Sequence, residues 1–209
     1  MITKFDYALA GLIGFFAGMF LIPVLLRVQI RDPAVLLATP WVIAAVVLFG
    51  VWIGEQLARI KPIFSQLAKF ATVGILNTSI DFGILNLLSI ATGITKGFVI
   101  GGVNVPGVAL AITNAYFWNK FWVFSAKDNK GALHDFPKFI LVSGSGILLN
   151  SGIVIFITSY TGPGFGLEEG IALNVAKVIA TPLSMTWNFL GYKFVVFRST
   201  KTPSPNPQL

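Results

Sequence analysis

Two ionisable side chains, Asp81 and Lys177, interrupt stretches that are otherwise apolar. Inside a membrane span such a charge costs about 2.5 to 3.5 kcal/mol on insertion scales, so it faces a bundle interior or a water-filled cavity. Gly74, Asn77 and Asp81 share one face of a helix by their spacing. Asn174, Lys177, Thr181, Ser184 and Asn188 follow the same alternation of three and four, a polar stripe that Pro182 is expected to kink. Ser143, Gly146 and Asn150 make a third polar face. Together these groups offer hydrogen-bond donors and acceptors, and lysine and amide nitrogens are the donors a phosphate anion needs. Interhelical hydrogen bonding alone, contributing less than about 2 kcal/mol per residue, accounts for Asn150 or Ser184 singly. It does not account for the whole set.

At a rise of 1.5 Å per residue, Asp81 lies roughly 18 Å from Lys69, and Lys177 roughly 24 Å from Lys193. The levels are similar, so an ion pair between Asp81 and Lys177 is expected, with a structural role and a binding role both open. A second constellation sits at a span border, where Asn119, Lys120, Lys193 and Arg198 are interleaved with Trp118, Trp122, Phe194 and Phe197. Basic anchors in an aromatic belt explain it as orientation. A basic pocket between helices explains it equally as a site where an anionic headgroup loads.

No motif for covalent chemistry appears. Cysteine is absent and His134 is the single histidine, in a short polar loop. There is no His-Glu-x-x-His and no glycine-rich loop ahead of a lysine. No catalytic residue, metal site or cofactor is expected. Asn77-Thr78-Ser79 matches a glycosylation sequon but falls inside an apolar stretch.

The elements that must position these groups follow from composition. The chain has 209 residues, 55% hydrophobic and 11% charged, with a mean hydropathy of +0.81, far from the balance of a water-soluble domain. A span takes about 20 apolar residues. Six such stretches run at about 7–26, 35–53, 70–91, 98–123, 139–160 and 171–196. The first is too long for a secretory h-region and lacks a small-residue cleavage site, so a retained helix is expected.

The net charge of +7 is explained by its placement. Lys4, Arg59, Lys61, Lys69, Lys120, Lys127, Lys130, Lys138, Lys193, Arg198 and Lys201 fall at the termini and at the second and fourth connections. Only Arg27, Arg31 and Lys96 fall at the opposite ends. The positive-inside rule then puts both termini in the cytoplasm and leaves no charge that needs a nucleic acid.

A repeat is visible. Lys69-Phe70 with Val73 and Gly74 opens one pair of stretches, and Lys138-Phe139 with Val142 and Gly144 opens the next. The pairs close on Asn119-Lys120-Phe121-Trp122-Val123-Phe124 and Tyr192-Lys193-Phe194-Val195-Val196-Phe197. Each unit has two spans, so both enter from one side as a parallel repeat, an arrangement that forms binding sites between its halves. The first two spans stand outside it, joined by a hairpin through Arg31, Asp32 and Pro33. Ala10, Gly14 and Gly18 give the first span a small-residue face for close helix contact, expected within the chain in preference to a dimer. The fold expected is all-α, a polytopic bundle of about six transmembrane helices. Its parts are a two-helix module and linker (1–65), a four-helix core of two repeats (66–198) and a disordered tail (199–209).

The passages from Lys69 to Gly74 on to Asn77 and Asp81, from Asn114 to Phe124, from Phe136 to Asn150 and from Asn174 to Phe197 resemble the GtrA-like family of small membrane proteins over about residues 66 to 198. The amino-terminal pair departs from that family's four-helix core. The resemblance implies flipping of a polyprenyl-phosphate-linked sugar for cell-surface glycan synthesis, in the cytoplasmic membrane and without catalysis. Its substrate-binding residues would be Asn77, Asp81, Asn114, Asn119, Lys120, Asn174, Lys177, Asn188 and Lys193. The alternative it allows is a membrane partner that anchors a polyprenyl-phosphate glycosyltransferase. Ion-coupled export of small molecules through Asp81 fits less well, because Lys177 would neutralise the carboxylate. Membrane lipids and the lipid-linked sugar are the partners expected, with self-association open.

Overall fold

A computed structural model describes residues 2–94, 99–126, 131–161 and 169–198, without the side chains of 99–101, 161, 169–174, 177 and 178. The described residues form six α-helices and no strand: α1 (Lys4–Arg27), α2 (Pro33–Ala58), α3 (Ile63–Thr92), α4 (Val99–Trp118), α5 (Phe136–Phe156) and α6 (Glu169–Gly191). Four of them, α1, α2, α3 and α5 extended to Tyr160, are long and apolar enough to cross a membrane. α4 and α6, of 20 and 23 residues, also reach the length a span takes. The tail from Ser199 lies outside the described residues.

Local chemistry sets the helix ends. Thr3 and Asp6 form a capping box at the start of α1, which satisfies amide hydrogens that have no partner in the first turn. Asp32 caps α2 through the amides of Ala34 and Val35, with Pro33 in the first helical position. α3 ends at Gly93, whose φ of 72° is the left-handed cap that glycine adopts without penalty.

Helices α4, α5 and α6 each run on into a wider π-helical turn, over Asn119–Val123, Ile157–Thr161 and Tyr192–Val196. Two of these are the aromatic-basic closures of the repeat. The backbone reproduces the sequence likeness closely, since Phe124 N donates to Asn119 O at 2.9 Å and Phe197 N to Tyr192 O at 2.8 Å.

The chain divides into two compact units, the first reaching to Ser125 and the second starting at Ala126. In the first, α1 packs on α2 and α3, and α3 packs on α4. Ala10, Gly14, Ala17 and Gly18 are buried, and a Cβ on Gly14 would lie 2.8 Å from Ala44 Cα. The expected small-residue face is therefore spent inside the chain. Large side chains such as Phe16, Trp41 and Phe49 point outward, the distribution a lipid solvent favours. In the second unit α5 packs on α6, with Phe139 and Phe189 buried and the Phe139 ring stacked 4.5 Å from Tyr192.

Candidate functional site

Within the first unit the polar faces of α3 and α4 meet. Asn114 Nδ2 donates to Asn77 Oδ1 at 2.7 Å, and Trp118 Nε1 donates to Asn114 Oδ1 at 3.1 Å. Four residues further along α3, Asp81 lies against Gly107, where a Cβ would come within 3.0 Å of the Asp81 carbonyl oxygen and 3.2 Å of its Oδ1. The missing side chain lets the carboxylate approach α4. Asn104, Gly107, Ala111 and Asn114 follow helical spacing, so one face of α4 carries amides at both ends and small residues between. Asp81 Oδ1 and Asn104 Oδ1 are buried without a hydrogen-bond partner among the described residues.

Within the second unit the corresponding faces enclose a cleft of about 190 Å³, lined by Gly146, Ile147, Asn150, Ser151, Ser184 and Asn188. Asn150 Nδ2 donates to Ser184 Oγ at 3.1 Å. The amide of Asn188 presses against Gly146, and its Oδ1 is buried without a partner among the described residues. The side chains of Asn174 and Lys177 lie outside the described residues, and with them the expected pairing of Lys177 with Asp81.

At the border carrying the aromatic-basic closures the two lysines differ. Lys120 is 1% exposed, with Nζ 3.4 Å from Tyr116 Oη and 5.7 Å from that ring's centroid. Asn119 beside it is also buried, and its Nδ2 donates to Ala115 O at 2.7 Å. Lys193 is half-buried, its ammonium 5.7 Å from the rings of both Phe189 and Phe194.

Three residues of this assembly escape sequence reasoning. Asp6 is buried and gathers Lys69 Nζ at 2.5 Å, Trp122 Nε1 at 2.8 Å, and the Thr3 amide and hydroxyl at 2.8 and 2.9 Å. The ammonium of Lys69 also stands 5.5 Å from the Trp122 ring centroid. Only the capping-box spacing of Thr3 and Asp6 hinted at it. Tyr7, whose hydroxyl donates to Glu55 at 2.6 Å, only opens the first apolar stretch, and its spacing gives no signal of that partner. Asn104 was visible only through its spacing to Asn114.

The arrangement defines a multi-pass helical membrane protein whose helix pairs each bury a polar seam. The GtrA/DPMS transmembrane domain matches residues 69–201, most of the chain. An uncharacterized membrane protein of Bacillus subtilis (strain 168), YngA, is 30% identical over 142 residues, covering 68% of this chain and 86% of that protein. A dolichol-phosphate mannosyltransferase of Pyrococcus furiosus is 27% identical over 124 residues, 58% of this chain and 34% of the enzyme. The chain thus spans about a third of that transferase. It belongs to the GtrA/DPMS transmembrane-domain family.

Proposed function

We propose that this protein carries a polyprenyl-phosphate-linked sugar across the cytoplasmic membrane. The observation that supports this reading best is the set of buried acceptors that have no partner among the described residues, Asp81 Oδ1 and Asn104 Oδ1 in one helix pair and Asn188 Oδ1 in the other. A buried acceptor without a donor costs about 1 to 3 kcal/mol, and the hydroxyls of a sugar are donors. On this reading Asn77, Asp81, Asn114, Asn174, Lys177 and Asn188 line the headgroup's route, while the prenyl chain stays in lipid. Asn119 and Lys120 in the first unit, and Lys193 in the second, take the phosphate at the cytoplasmic border of each. Lys193 meets the phosphate first, because the Lys120 ammonium is buried. Both termini lie in the cytoplasm, so a cysteine at Ser65 is shielded from an impermeant thiol reagent in intact cells and one at Gln29 is labelled.

The test is reconstitution in liposomes that carry a labelled polyprenyl-phosphate sugar in both leaflets, followed by an impermeant modifier of the sugar. The wild-type protein exposes nearly all of the label. Asn77→Leu slows passage at least tenfold with headgroup binding nearly intact, whereas Lys193→Glu weakens binding by setting a like charge against the phosphate. Modification that stops at the outer-leaflet fraction overturns the reading.

A second reading has its own support. The relative from Pyrococcus furiosus is a glycosyltransferase in which the matched segment is about a third of the chain. Here the same kind of segment would serve as a separate membrane partner for such an enzyme, and co-purification with a transferase, without lipid movement, selects it.

A further inference from the structure

The ends of α1 and α3 remote from the lysine-rich border enclose a second, larger cleft of about 450 Å³, lined by Leu26, Arg27, Gln29, Arg31, Ser89, Ile90 and Gly93. That volume lies in the range of small-molecule sites, about 300 to 1,000 Å³. Two arginines four residues apart project from the end of α1 and the hairpin after it. Neither has an ion pair or hydrogen bond among the described residues. The neighbouring carboxylate is engaged elsewhere, because Asp32 Oδ1 accepts from the amides of Ala34 and Val35 at 2.7 and 3.3 Å.

The backbone fixes this geometry. Gln29 takes a left-handed φ of 66°, and Ile30 N donates to Leu25 O at 3.0 Å while Gln29 N donates to Leu26 O at 3.2 Å. That closure satisfies the last carbonyls of α1, which would otherwise compete for the guanidinium groups. A residue without glycine's freedom in this conformation is uncommon and strained. It holds Gln29 in the wall of the cleft. The opposite wall ends on Gly93, also left-handed, with Ser89 Oγ donating to Ile94 O at 2.6 Å.

We propose that this cleft is a binding site for the phosphate headgroup of a lipid, built by the amino-terminal hairpin against the first helix of the family domain. Guanidinium groups match phosphate oxygens in a bidentate fork and are less strongly hydrated than ammonium. The side chain of Gln29, whose backbone N–H is already spent on Leu26 O, gives this cleft-lining residue a carboxamide as a neutral donor. The apolar wall of Leu26 and Ile90 distinguishes a lipid from free phosphate, since it receives the first carbons behind the headgroup. The site is independent of transport.

The experiment uses the full chain purified in a non-ionic detergent and titrated with a short-chain polyprenyl monophosphate, followed by native mass spectrometry. Parallel arms use the uncharged polyprenol and inorganic phosphate. The wild type binds the lipid phosphate at least tenfold more tightly than either control. Arg27→Gln with Arg31→Gln lowers that affinity at least fivefold, Arg27→Lys with Arg31→Lys recovers part of it, and Arg59→Gln at the other end has no effect. Elution volume and melting temperature matching the wild type show that the variants fold. Unchanged affinity in the folded double glutamine variant overturns the proposal, as does equal binding of the uncharged polyprenol. Inorganic phosphate binding as tightly as the lipid replaces the lipid headgroup with a free-anion site.

Discussion

The two helix pairs of the family domain share a backbone ending but not the side chains that use it. Both close on a π-helical turn with a lysine in the second position. In the first pair that lysine is buried, and the lysine that opens the pair, Lys69, is held by Asp6 from α1. In the second pair the closing lysine is half-buried among aromatic rings and the opening lysine, Lys138, is exposed. Eight residues past the opening lysine stands Asn77 in one pair and Gly146 in the other; twelve past it stands Asp81 in one and Asn150 in the other. The first pair therefore joins its helices through an amide pair, while the second leaves a cleft at the matching level. Repetition preserves the backbone frame at the membrane border, and the side chains of the interior are where the copies differ.

The sharpest way to break this comparison is to remove the tie that, among the described residues, the first pair has and the second lacks. Asp6→Ala leaves the Lys69 ammonium and the Trp122 indole without their acceptor, and losing one partner of a buried pair costs about 3 to 5 kcal/mol. A large drop in melting temperature in detergent is expected, with Asp6→Ala combined with Lys69→Met recovering part of it. Strictly additive losses would mean that the two groups are not coupled.

Gly146→Ala probes the second pair, because the added methyl collides with the Asn188 amide. Only the movable end of a side chain stands in the way, and it has the cleft beside it, so the loss is about 1 kcal/mol, the low end for overpacking. Gly144→Ala, with nothing near the added methyl, holds its stability or gains slightly. Equal effects at the two positions would show that α5 and α6 do not meet closely at Gly146.

The smallest effect separates the interhelical bonds. A double-mutant cycle between Asn77 and Asn114, and another between Asn150 and Ser184, should each give about 0.6 kcal/mol, the average for such bonds in a membrane. A value near zero in one pair and about 1.7 kcal/mol in the other would make the seams energetically unequal.

Much of this was legible because lipid imposes a simple rule: every backbone polar group must be satisfied within its own helix. Six long apolar stretches left few alternatives to six helices, and the small residues from Ala10 to Gly18 announced their close contact. The faces bearing Asn77, Asp81 and Asn188 were legible from helical period. The π-helical turns were not, because one extra residue in a turn leaves the composition unchanged. Nor was the burial of Lys120, since a lysine among aromatics has the same pattern whether it points to water or inward. Asp6 stayed hidden because its partners lie 63 and 116 residues away, and no local spacing encodes them.

That last separation has a consequence for biosynthesis. The acceptors of Asp6 are filled in the order in which the ribosome delivers their donors: Thr3 at once, Lys69 after a further 63 residues and Trp122 after 116. At about 5 to 20 residues per second, the carboxylate waits on the order of ten seconds between leaving the ribosome and meeting its last ligand. Through that interval α1 and α2 stand in the membrane with their anchor half made, and only the arrival of the π-helical turn after α4 completes it.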